Sequence, residues 1–523
     1  MRLPIVFLIL CLPLFAAESR LPGLGLNDTN LHLFVDDYEI AHSTNLLRVV
    51  NRVKKRPEPV LIADQPWEGD RAQAWGSVIQ ETSGLLRMWY FAFNTERKPN
   101  EMDRGGYCYA ESRDGIHWTK PNLGLVGFRG SKENNLFYTF SLDGKNLVDE
   151  ELARRGEGLP ALDLNGKEIG VVNNADGISV VRDDAESDPQ KRYKLIANMQ
   201  DHRMWSYYFR ERYPNVTDAQ VKQAQAIHGQ YMDTSPDGLH WTRKPIRLLG
   251  AKGDYMMVVP NQRARGWWLN ERMSGHSIRN AALRESKDLI HWTEPQMQFD
   301  SGPENNFGKL WEWHGGMTPF NCGNMNLGFL EKWSAAGFGS YCELICNRDG
   351  QPWQRVAPGH PFLDIGPENS FDRALAFPTH NAPIRIGNQL CIFYTGGSGA
   401  MNTNSAMPMS IGLATVGLDR FAGMACWRGA AGELTTKPMM VSGNILEVNV
   451  EGFDHTRVRV AILKDGKVLP GFGCDESQCM VTNNEVYQPV TWKRVKLAEL
   501  RGEKVSLRFE IKGACLYGFR FAD

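Results

Sequence analysis

The chain has 523 residues, with 59 Lys and Arg, 60 Asp and Glu, and a formal net charge of −1 at pH 7. This balance argues against nucleic acid or a membrane surface as a partner. A chain of this length is too long for a single compact core unless that core is a closed ring of repeats. Fifteen Trp and 51 Gly are typical of an aromatic, turn-rich β protein.

The first residues are typical of a signal peptide. Arg2 precedes an apolar run from Leu3 to Phe15, and Ala16-Ala17 lies where cleavage is expected. The run is too short to span a membrane. A lipoprotein site at Cys11 is disfavoured because the residue before it is bulky. We therefore expect residues 1–17 to be removed and the protein to be secreted or periplasmic, without a membrane span.

A short motif recurs and predicts the fold. Ser112 to Trp118 reads Ser-Arg-Asp-Gly-Ile-His-Trp, and it returns from Ser235 to Trp241 and, without its glycine, from Ser286 to Trp292; a weaker copy spans Asn347 to Trp353. Each copy follows an alternating stretch, and Asp-Gly accepts the positive φ of a hairpin turn. Recurrence of a hairpin at a regular period is typical of β-propellers. The histidines of the motif, His117, His240 and His291, are expected to be structural, because a repeated feature serves the repeat.

Five cycles of strands fit residues 66–430 if a blade takes roughly 50 residues. We predict an all-β protein, a five-bladed β-propeller followed by a small C-terminal β-sandwich. The residues of this range that exceed five blades lie in two insertions, near 127–174 and 203–230. The second insertion is expected to contain a helix from Asp218 to Ile227 capped by Thr217. The first strands of the five cycles are expected to include Ala74–Gln80, Gly177–Val181, Tyr255–Val259, Gly316–Phe320 and Ala382–Ile386.

The two ends of the chain lie outside these cycles. Residues 18–65 form an N-terminal segment in which Leu31–Tyr38 is expected to close the ring against the last blade. Residues 431–523 alternate with period two in four runs and contain an Asp465-Gly466 turn, which favours a β-sandwich that packs or binds carbohydrate without catalysis.

Nine of the 10 cysteines remain after Cys11 is removed, an odd number for paired disulfides. Most lie in strand-like runs and are expected to be buried thiols. Cys474 and Cys479 flank a polar loop and are candidates for a bridge. No Cys or His spacing is typical of zinc.

An acidic residue precedes the first strand of every cycle. Because these strands line the axis of a propeller, the five acids are expected to lie at one mouth, although each also suits a turn or strand end for backbone reasons. The five residues are Asp70, Asp176, Asp254, Glu312 and Asp372. Asp36-Asp37 is a weaker candidate pair, since adjacent strand residues face opposite sides.

The ends of the second strands are expected to supply another polar layer at the same mouth. Carboxylates that repel one another differ in pKa, so that one acts as an acid and another as a base or nucleophile, which is the chemistry of glycoside hydrolysis. Trp67, Trp75, Trp311 and Trp313 are near enough in sequence to offer a face for a sugar ring.

Five phrases resemble a group of exported bacterial proteins described as glycosyl hydrolase family 32- or 43-like and frequent in planctomycetes and verrucomicrobia. The phrases are Leu33–Asp37, Arg87–Tyr90, Ser112–Trp118, Arg192–Lys194 and Ile411–Thr415. The resemblance covers most of the chain. It implies the five-bladed propeller of β-fructosidases, arabinanases and xylosidases, with a base or nucleophile, a tuning aspartate and a general-acid glutamate.

The motifs of that family match in part. Trp311-Glu312 resembles the start of the fructosidase Trp-Glu-Cys-Pro motif, although Trp313-His314 follows it here. Arg182-Asp183 resembles Arg-Asp-Pro, with Asp184 in the place of proline, and the Asn-Asp-Pro-Asn-Gly signature is absent.

We therefore expect a glycoside hydrolase acting on plant or algal poly- or oligosaccharides. The general acid is expected to be Glu312 or Glu271 and the base Asp176 or Asp254, with Asp372 as the tuning residue. The expected substrate-binding residues are Asp70, Trp75, Asn94, Asp201, His202, Arg272, His314, Glu331 and Arg373. No cofactor or catalytic metal is predicted, although an axial or structural Ca²⁺ ion is compatible with the acids.

Two alternatives stay open. The first is a non-catalytic glycan-binding propeller, in which aromatic residues carry the affinity. The second is a glycoside phosphorylase, which needs a basic phosphate site among Arg272, His314, Lys332 and Arg373. The sugar, the linkage, the stereochemical outcome and the oligomeric state are not determined by the sequence.

Overall fold

The computed structural model describes residues 30–93, 105–147, 149–207, 213–251, 253, 256–275, 278–301, 312–334, 339–399, 408–426, 431–482 and 485–523. These residues form an all-β protein, as predicted. The α-helices in them are Asp149–Arg155 and Asp218–Ile227, and the 3₁₀ helices are Pro189–Lys191, His202–Tyr207 and Leu497–Leu500. The second α-helix confirms the prediction, with Thr217 and Gln220 forming a capping box.

Five antiparallel meanders, numbered 1 to 5, follow one another along the described chain. Meander 1 contains Arg71–Gln80, Leu86–Phe93, Gly105–Ser112 and Trp118–Thr119, with Leu136–Tyr138 added at its third strand. Meander 2 contains Asn174–Arg182, Tyr193–Gln200, Gly229–Ser235 and Ile246–Gly250, extended by Leu159–Leu162 and Glu168–Val172. Meander 3 contains Met256–Asn261, Gly266–Gly275, Ile278–Ser286 and Gln296–Phe299. Meander 4 contains Glu312–Cys322, Met325–Ser334, Tyr341–Asn347 and Gln354–Arg355. Meander 5 contains Leu375–Pro378 with Ile384–Ile386, then Gln389–Gly397 and Met409–Gly417.

Side chains join the first strands of neighbouring meanders. The Val180 N–H donates to Ser77 Oγ over 3.0 Å, and the Val258 N–H donates to Ser179 Oγ over 3.0 Å. A related bond joins the first strand of meander 4 to the second strand of meander 3, where the Met317 N–H donates to Asn270 Oδ1. The first strand of meander 1 pairs in parallel with meander 5 at Arg71 and Met409. At Val180, Val258 and Met317 the side-chain bonds satisfy backbone amides that burial would otherwise leave unpaired.

The recurring turn motif has the same internal bonds in its first three copies. In its first copy, Asp114 Oδ1 accepts the N–H groups of Ile116 and His117, both over 2.8 Å, and His117 Nδ1 lies 2.7 Å from Asp114 Oδ2. The copies at Ser235 and Ser286 repeat this geometry. The histidines are therefore turn-stabilising side chains.

Each turn packs against the preceding meander. The Trp89 indole N–H of meander 1 donates to the Gly238 carbonyl of meander 2 over 2.8 Å. A Cβ at Gly238 would lie 2.7 Å from Trp89, so the close approach requires glycine there. Trp118 of meander 1 packs edge-on against Phe393 of meander 5, which brings the series of contacts back to its start.

The outer strand of meander 5 comes from the N-terminal segment, but not from the predicted residues. Lys54–Lys55 pairs antiparallel with Ala414 and Thr415. Leu31–Leu33 instead pairs with Gly518–Arg520 of the C-terminal sheet, so the prediction that Leu31–Tyr38 closes the ring is wrong. The apolar side chains of Leu31 and Leu33 are buried there, whereas Lys55 carries the charge that the buried Asp372 needs.

The C-terminal residues form a sheet with two long paired strands, Ile445–Lys464 and Lys504–Ala522. The four alternating runs of the sequence are therefore two strands, which bend at irregularities near Asn449 and Gly452 without ending. The predicted turn at Asp465 and Gly466 is confirmed, with positive φ at both residues. The other strands of this sheet are Leu31–Leu33, Ile40–Thr44, Leu47–Val50, Ala422–Cys426, Gly432–Thr436, Met439–Met440, Lys467–Val468, Ser477–Cys479 and Tyr487–Trp492.

Every cysteine of the described residues is a free thiol, and Cys474 and Cys479 do not form the bridge considered above. Most of these thiols are buried, as predicted. Among the described helices, none combines the length and apolar character that crossing a membrane requires.

The ion pair between Lys55, on the outer strand of meander 5, and Asp372 gives a stability prediction. Lys55 Nζ lies 2.6 Å from Asp372 Oδ2, and the Asp372 side chain is 3% exposed. Lys55→Met leaves this carboxylate without its cation, and we expect a loss of about 3 kcal/mol in the free energy of unfolding. Urea denaturation measures it, with Lys54→Met, an exposed neighbour on the same strand, as the control. Equal losses in the two variants would contradict the assignment.

The turn aspartates give a prediction for acid stability. The backbone N–H of His117 and its ring hold the pKa of Asp114 well below its ordinary value. Burial opposes the same effect at Asp237, yet the bonds from His240 lower its pKa to about 2. A depressed carboxyl pKa stabilises the fold above the unfolded value, about pH 4, and this contribution is lost as the pH falls toward about 2.

We therefore expect Asp114→Asn and Asp237→Asn to flatten the decline of stability between about pH 4 and pH 2. Urea midpoints measured across that range test it. Asp349→Asn is the matched control, because the fourth copy of the motif has Pro352 where the others have histidine. An unchanged slope in both turn variants would refute the explanation.

Candidate active site

A cleft of about 340 Å³ lies where meanders 1 and 2 meet. Five of its side chains come from the first two strands of meander 1, and the insertion before meander 2 forms the facing wall. We call it the aromatic cleft. Its principal side chains are Arg71, Gln73, Trp75, Phe91, Phe93, Tyr107, Phe140, Asn146, Asp176, Gln200, His202 and Trp205. Its size suits a small ligand, and its aromatic surface suits the flat face of a sugar ring.

Asp176 is the predicted acid that the structure places in this cleft. It lies at a β-bulge, because Asp176 pairs with Asn198 and Ile178 with Ala197, which leaves Gly177 extra. Gly177 has φ +68, a conformation that glycine adopts without strain. A bulge redirects the side chains beside it, and here it accompanies a carboxylate at the cleft surface.

Gln200 connects the carboxylate to the aromatic wall. Its Nε2 donates to Asp176 Oδ2 over 3.0 Å, and its Oε1 accepts the indole N–H of Trp205 over 3.1 Å. Gln200 is 2% exposed, so its amide is fixed by the fold. The two cleft residues are thus held by one buried side chain.

The remaining predicted residues of this region are held in place from behind the cleft. Asp201 is buried and pairs with Arg203, with Oδ2 2.8 Å from Nε. The His202 N–H donates to Asn173 Oδ1 over 2.8 Å, and its ring contacts the Tyr213 hydroxyl. Asp70 lies beside Arg71 and is half-buried. These contacts support the wall that carries His202 and Trp205.

Trp75 connects the cleft to meanders 3 and 4. It lines the cleft and packs against the apolar cluster that includes Met257 and Met317. Those two residues belong to the first strands of meanders 3 and 4.

Four predicted residues come together around Gly315 of meander 4 instead. Arg272 Nε donates to the Gly315 carbonyl over 2.9 Å, and His314 pairs in register with Lys332. A Cβ at Gly315 would lie 2.8 Å from Glu331 Oε2. All four side chains are buried, and burial, reinforced by the Lys332 charge, lowers the pKa of His314 to about 3. His314 is therefore neutral at physiological pH.

Two further predicted acids are buried and paired with cations. Glu271 Oε1 lies 3.0 Å from Arg284 Nε, and both side chains are buried. Asp372 accepts from Lys55, Tyr394 and Ser370. These pairings are typical of carboxylates that stabilise a fold.

Other predicted residues lie elsewhere. Arg373 is exposed and pairs with Glu368 over 2.9 Å. Glu312 begins the first strand of meander 4. Asn94, Asp254 and Trp311 lie outside the described residues. Trp67 is half-buried and donates to Asn135 Oδ1 over 2.6 Å.

Sequence reasoning missed several residues of the cleft. Arg71 and Gln73 stand four and two positions before Trp75, so the period of a strand could have placed them on its face. Trp205 lies in the insertion after the second strand of meander 2, where no strand pattern applies. Phe140 and Asn146 lie in the earlier insertion, where the sequence also has no strand pattern that could place them.

A second cleft, of about 640 Å³, lies at the other ends of the first strands. Its lining includes Val78, Val180, Pro260 and Ile384, with charged residues around them. It contains none of the predicted site residues. Among the described residues, no group of three or more His, Cys, Asp or Glu side chains is arranged to hold a metal ion.

The sequence matches no family model and no curated protein. Its structure has similarity to β-1,2-mannobiose phosphorylase from Listeria innocua, with TM-score 0.43, 11% identity and coverage of 71% of this chain and 98% of that one. A GH62 α-L-arabinofuranosidase catalytic domain from Coprinopsis cinerea has TM-score 0.40, 13% identity and coverage of 70% and 97%. An exo-β-1,3-galactanase from Phanerochaete chrysosporium has TM-score 0.35, 11% identity and coverage of 89% and 99%. Similarity at this level establishes neither a shared family nor a shared activity.

Gln200 gives a prediction for this site. Gln200→Leu removes the bonds to both Asp176 and Trp205, and we expect a loss of about 1 to 2 kcal/mol in the free energy of unfolding, since each bond contributes roughly 1 kcal/mol. Urea denaturation measures the change. Gln190→Leu, at an exposed position of the same meander's first connection, is the control, and a loss no larger than that of the control would contradict the bridging role.

Proposed function

We propose that the five meanders are the blades of a five-bladed β-propeller and that the C-terminal sheet folds as a β-sandwich. The propeller is supported by the side-chain bonds that join each of meanders 1 to 3 to the first strand of the next meander, and by the contact of Trp118 of meander 1 with Phe393 of meander 5. The sandwich is supported by the apolar cluster that the two long, bent strands enclose with Phe34 and Trp492. The domain bounds of 66–430 and 431–523 belong to the same proposal, with Lys54–Lys55 as the closing strand.

We further propose that the protein is a glycoside hydrolase acting on poly- or oligosaccharides at the aromatic cleft. The observation that carries this is the placement of Asp176 beside Trp75 and Trp205 in one cleft, with Gln200 fixing the carboxylate. Aromatic faces pack on the apolar faces of sugar rings, and a fixed carboxylate stabilises the positive charge that develops at the anomeric carbon.

In this mechanism Asp176 acts as the base or nucleophile. Glycoside hydrolysis needs a second carboxyl group, which protonates the leaving oxygen. We assign that role to Glu312, because Glu271 is already paired with Arg284. Asp372 is assigned to ring closure through Lys55. Residues 1–17, which lie outside the described residues, are proposed to direct export, and plant or algal polysaccharides are the proposed source of substrate.

Replacement of the cleft carboxylate tests the proposal. We expect Asp176→Asn to lower turnover by about 10²- to 10⁴-fold, because it removes a carboxylate acting on the reacting centre. A panel of plant and algal oligosaccharides, with release of reducing sugar as the readout, identifies a substrate for the measurement. Asp184→Asn, at an exposed turn position two residues after the same first strand ends, is the matched control.

The same panel separates the alternatives. Release of sugar that requires phosphate would identify a phosphorylase, for which the cations Arg272 and Lys332, with the neutral His314 beside them, are the candidate site. Binding without turnover in wild-type protein and in Asp176→Asn alike would identify a glycan-binding propeller. Full turnover in Asp176→Asn would remove Asp176 from the mechanism.

A further inference from the structure

Arg71 gives the aromatic cleft a positive end. Among the described residues that line the cleft, Arg71 is the one Lys or Arg and Asp176 the one Asp or Glu. Arg71 begins the first strand of meander 1, while Asp176 lies on the first strand of meander 2. The two charges therefore come from different meanders.

The Arg71 side chain is a cation that can pair with an anionic group of a ligand. It forms no ion pair, and its Nε is buried without a hydrogen-bond acceptor, among the residues that the structure describes. Its guanidinium carbon lies 5.8 Å from the centre of the Phe93 ring. Burial lowers the pKa of Arg71 below its ordinary value, although the nearby charge of Asp70 opposes this.

A buried guanidinium N–H is costly unless an acceptor reaches it. A buried N–H without an acceptor loses its hydration and gains no bond in return. A guanidinium also presents its donors in a planar fork, which matches the oxygens of a carboxylate or a sulfate. A ligand that brings such a group to Arg71 would satisfy both the charge and the donor.

We propose that the aromatic cleft binds a sugar with an anionic substituent, a uronate carboxylate or a sulfate ester, and that Arg71 pairs with that group. This inference rests on the proposed function and names its substrate class. The anionic substituent lies at Arg71, the sugar ring packs on the aromatic wall, and the anomeric carbon faces Asp176. The opposite charges of the two residues give the ligand one orientation, because the reverse orientation places an anion against a carboxylate.

Binding of matched sugars tests the inference. Titration calorimetry with wild-type protein compares oligosaccharides of equal length in pairs: oligogalacturonate with neutral galacto-oligosaccharide, oligomannuronate with manno-oligosaccharide, and sulfated with desulfated galactan fragments. We expect an acidic member to bind more tightly than its neutral partner. The uronate and sulfate arms distinguish the two sources of the anion.

Substitution of Arg71 gives the second part of the test. We expect Arg71→Gln to weaken binding of the acidic sugar about 10- to 100-fold, the value of a charge-assisted bond, and to leave the neutral partner within about twofold. Wild-type affinity for the acidic sugar should fall as salt rises, and that of Arg71→Gln should not. Arg385→Gln, an exposed arginine away from the aromatic cleft, is the matched control, and thermal midpoints check that each variant folds.

The possible results distinguish failure of the anionic-sugar inference from failure of the proposed function. Tighter binding of neutral sugars by wild-type protein overturns the inference and leaves the proposed function standing, and so does an equal loss of both partners in Arg71→Gln. Failure of every sugar, acidic or neutral, to bind overturns the proposed function itself. Arg71→Lys, which keeps the charge without the fork, should bind the acidic sugar with intermediate affinity.

Discussion

Two kinds of contact between neighbouring meanders hold this protein together. In the first, Ser77 and Ser179 accept the backbone N–H groups of the next first strand. In the second, a copy of the turn motif packs on the preceding meander, as Gly238 does on Trp89. Both kinds of contact act between units rather than within them, so a meander alone would leave its edge amides and its aromatic face exposed to water. The relative positions of Arg71 and Asp176 depend on these contacts.

The predicted acids fall into two groups, those that stabilise the fold and the one that lines the aromatic cleft. Glu271 and Asp372 are buried, and each lies against a cation that offsets its desolvation. Asp176 has a neutral amide partner in Gln200 and stays at the cleft surface. A carboxylate that is already paired with an arginine or lysine has little capacity for chemistry. The burial and pairing of each acid, rather than its place in the sequence, thus separate structural from candidate functional carboxylates.

The aromatic cleft owes its shape to an insertion as well as to the repeat. Meander 1 supplies Trp75 and Phe91 from its first two strands, whereas Phe140 and Trp205 come from segments outside the strand pattern. The short helix His202–Tyr207 is held by Asn173 and Gln200, both buried. The regular part of the fold therefore provides one wall, and the irregular part narrows the opening over it.

The sequence by itself determined the period, the turns and the strands, because these depend on local chemistry. The Asp-Gly turns, the alternation in each strand and the Thr217 cap all act between residues close along the chain. It did not determine that Lys54–Lys55, rather than Leu31–Tyr38, completes meander 5, since both segments are extended and only the partner of Asp372 distinguishes them. Nor did the sequence show that Asp176 lines the cleft while Glu271 is buried in an ion pair, or that Arg71 belongs to the cleft. Those outcomes depend on which side chains from distant strands share a buried space, and only the tertiary structure decides that.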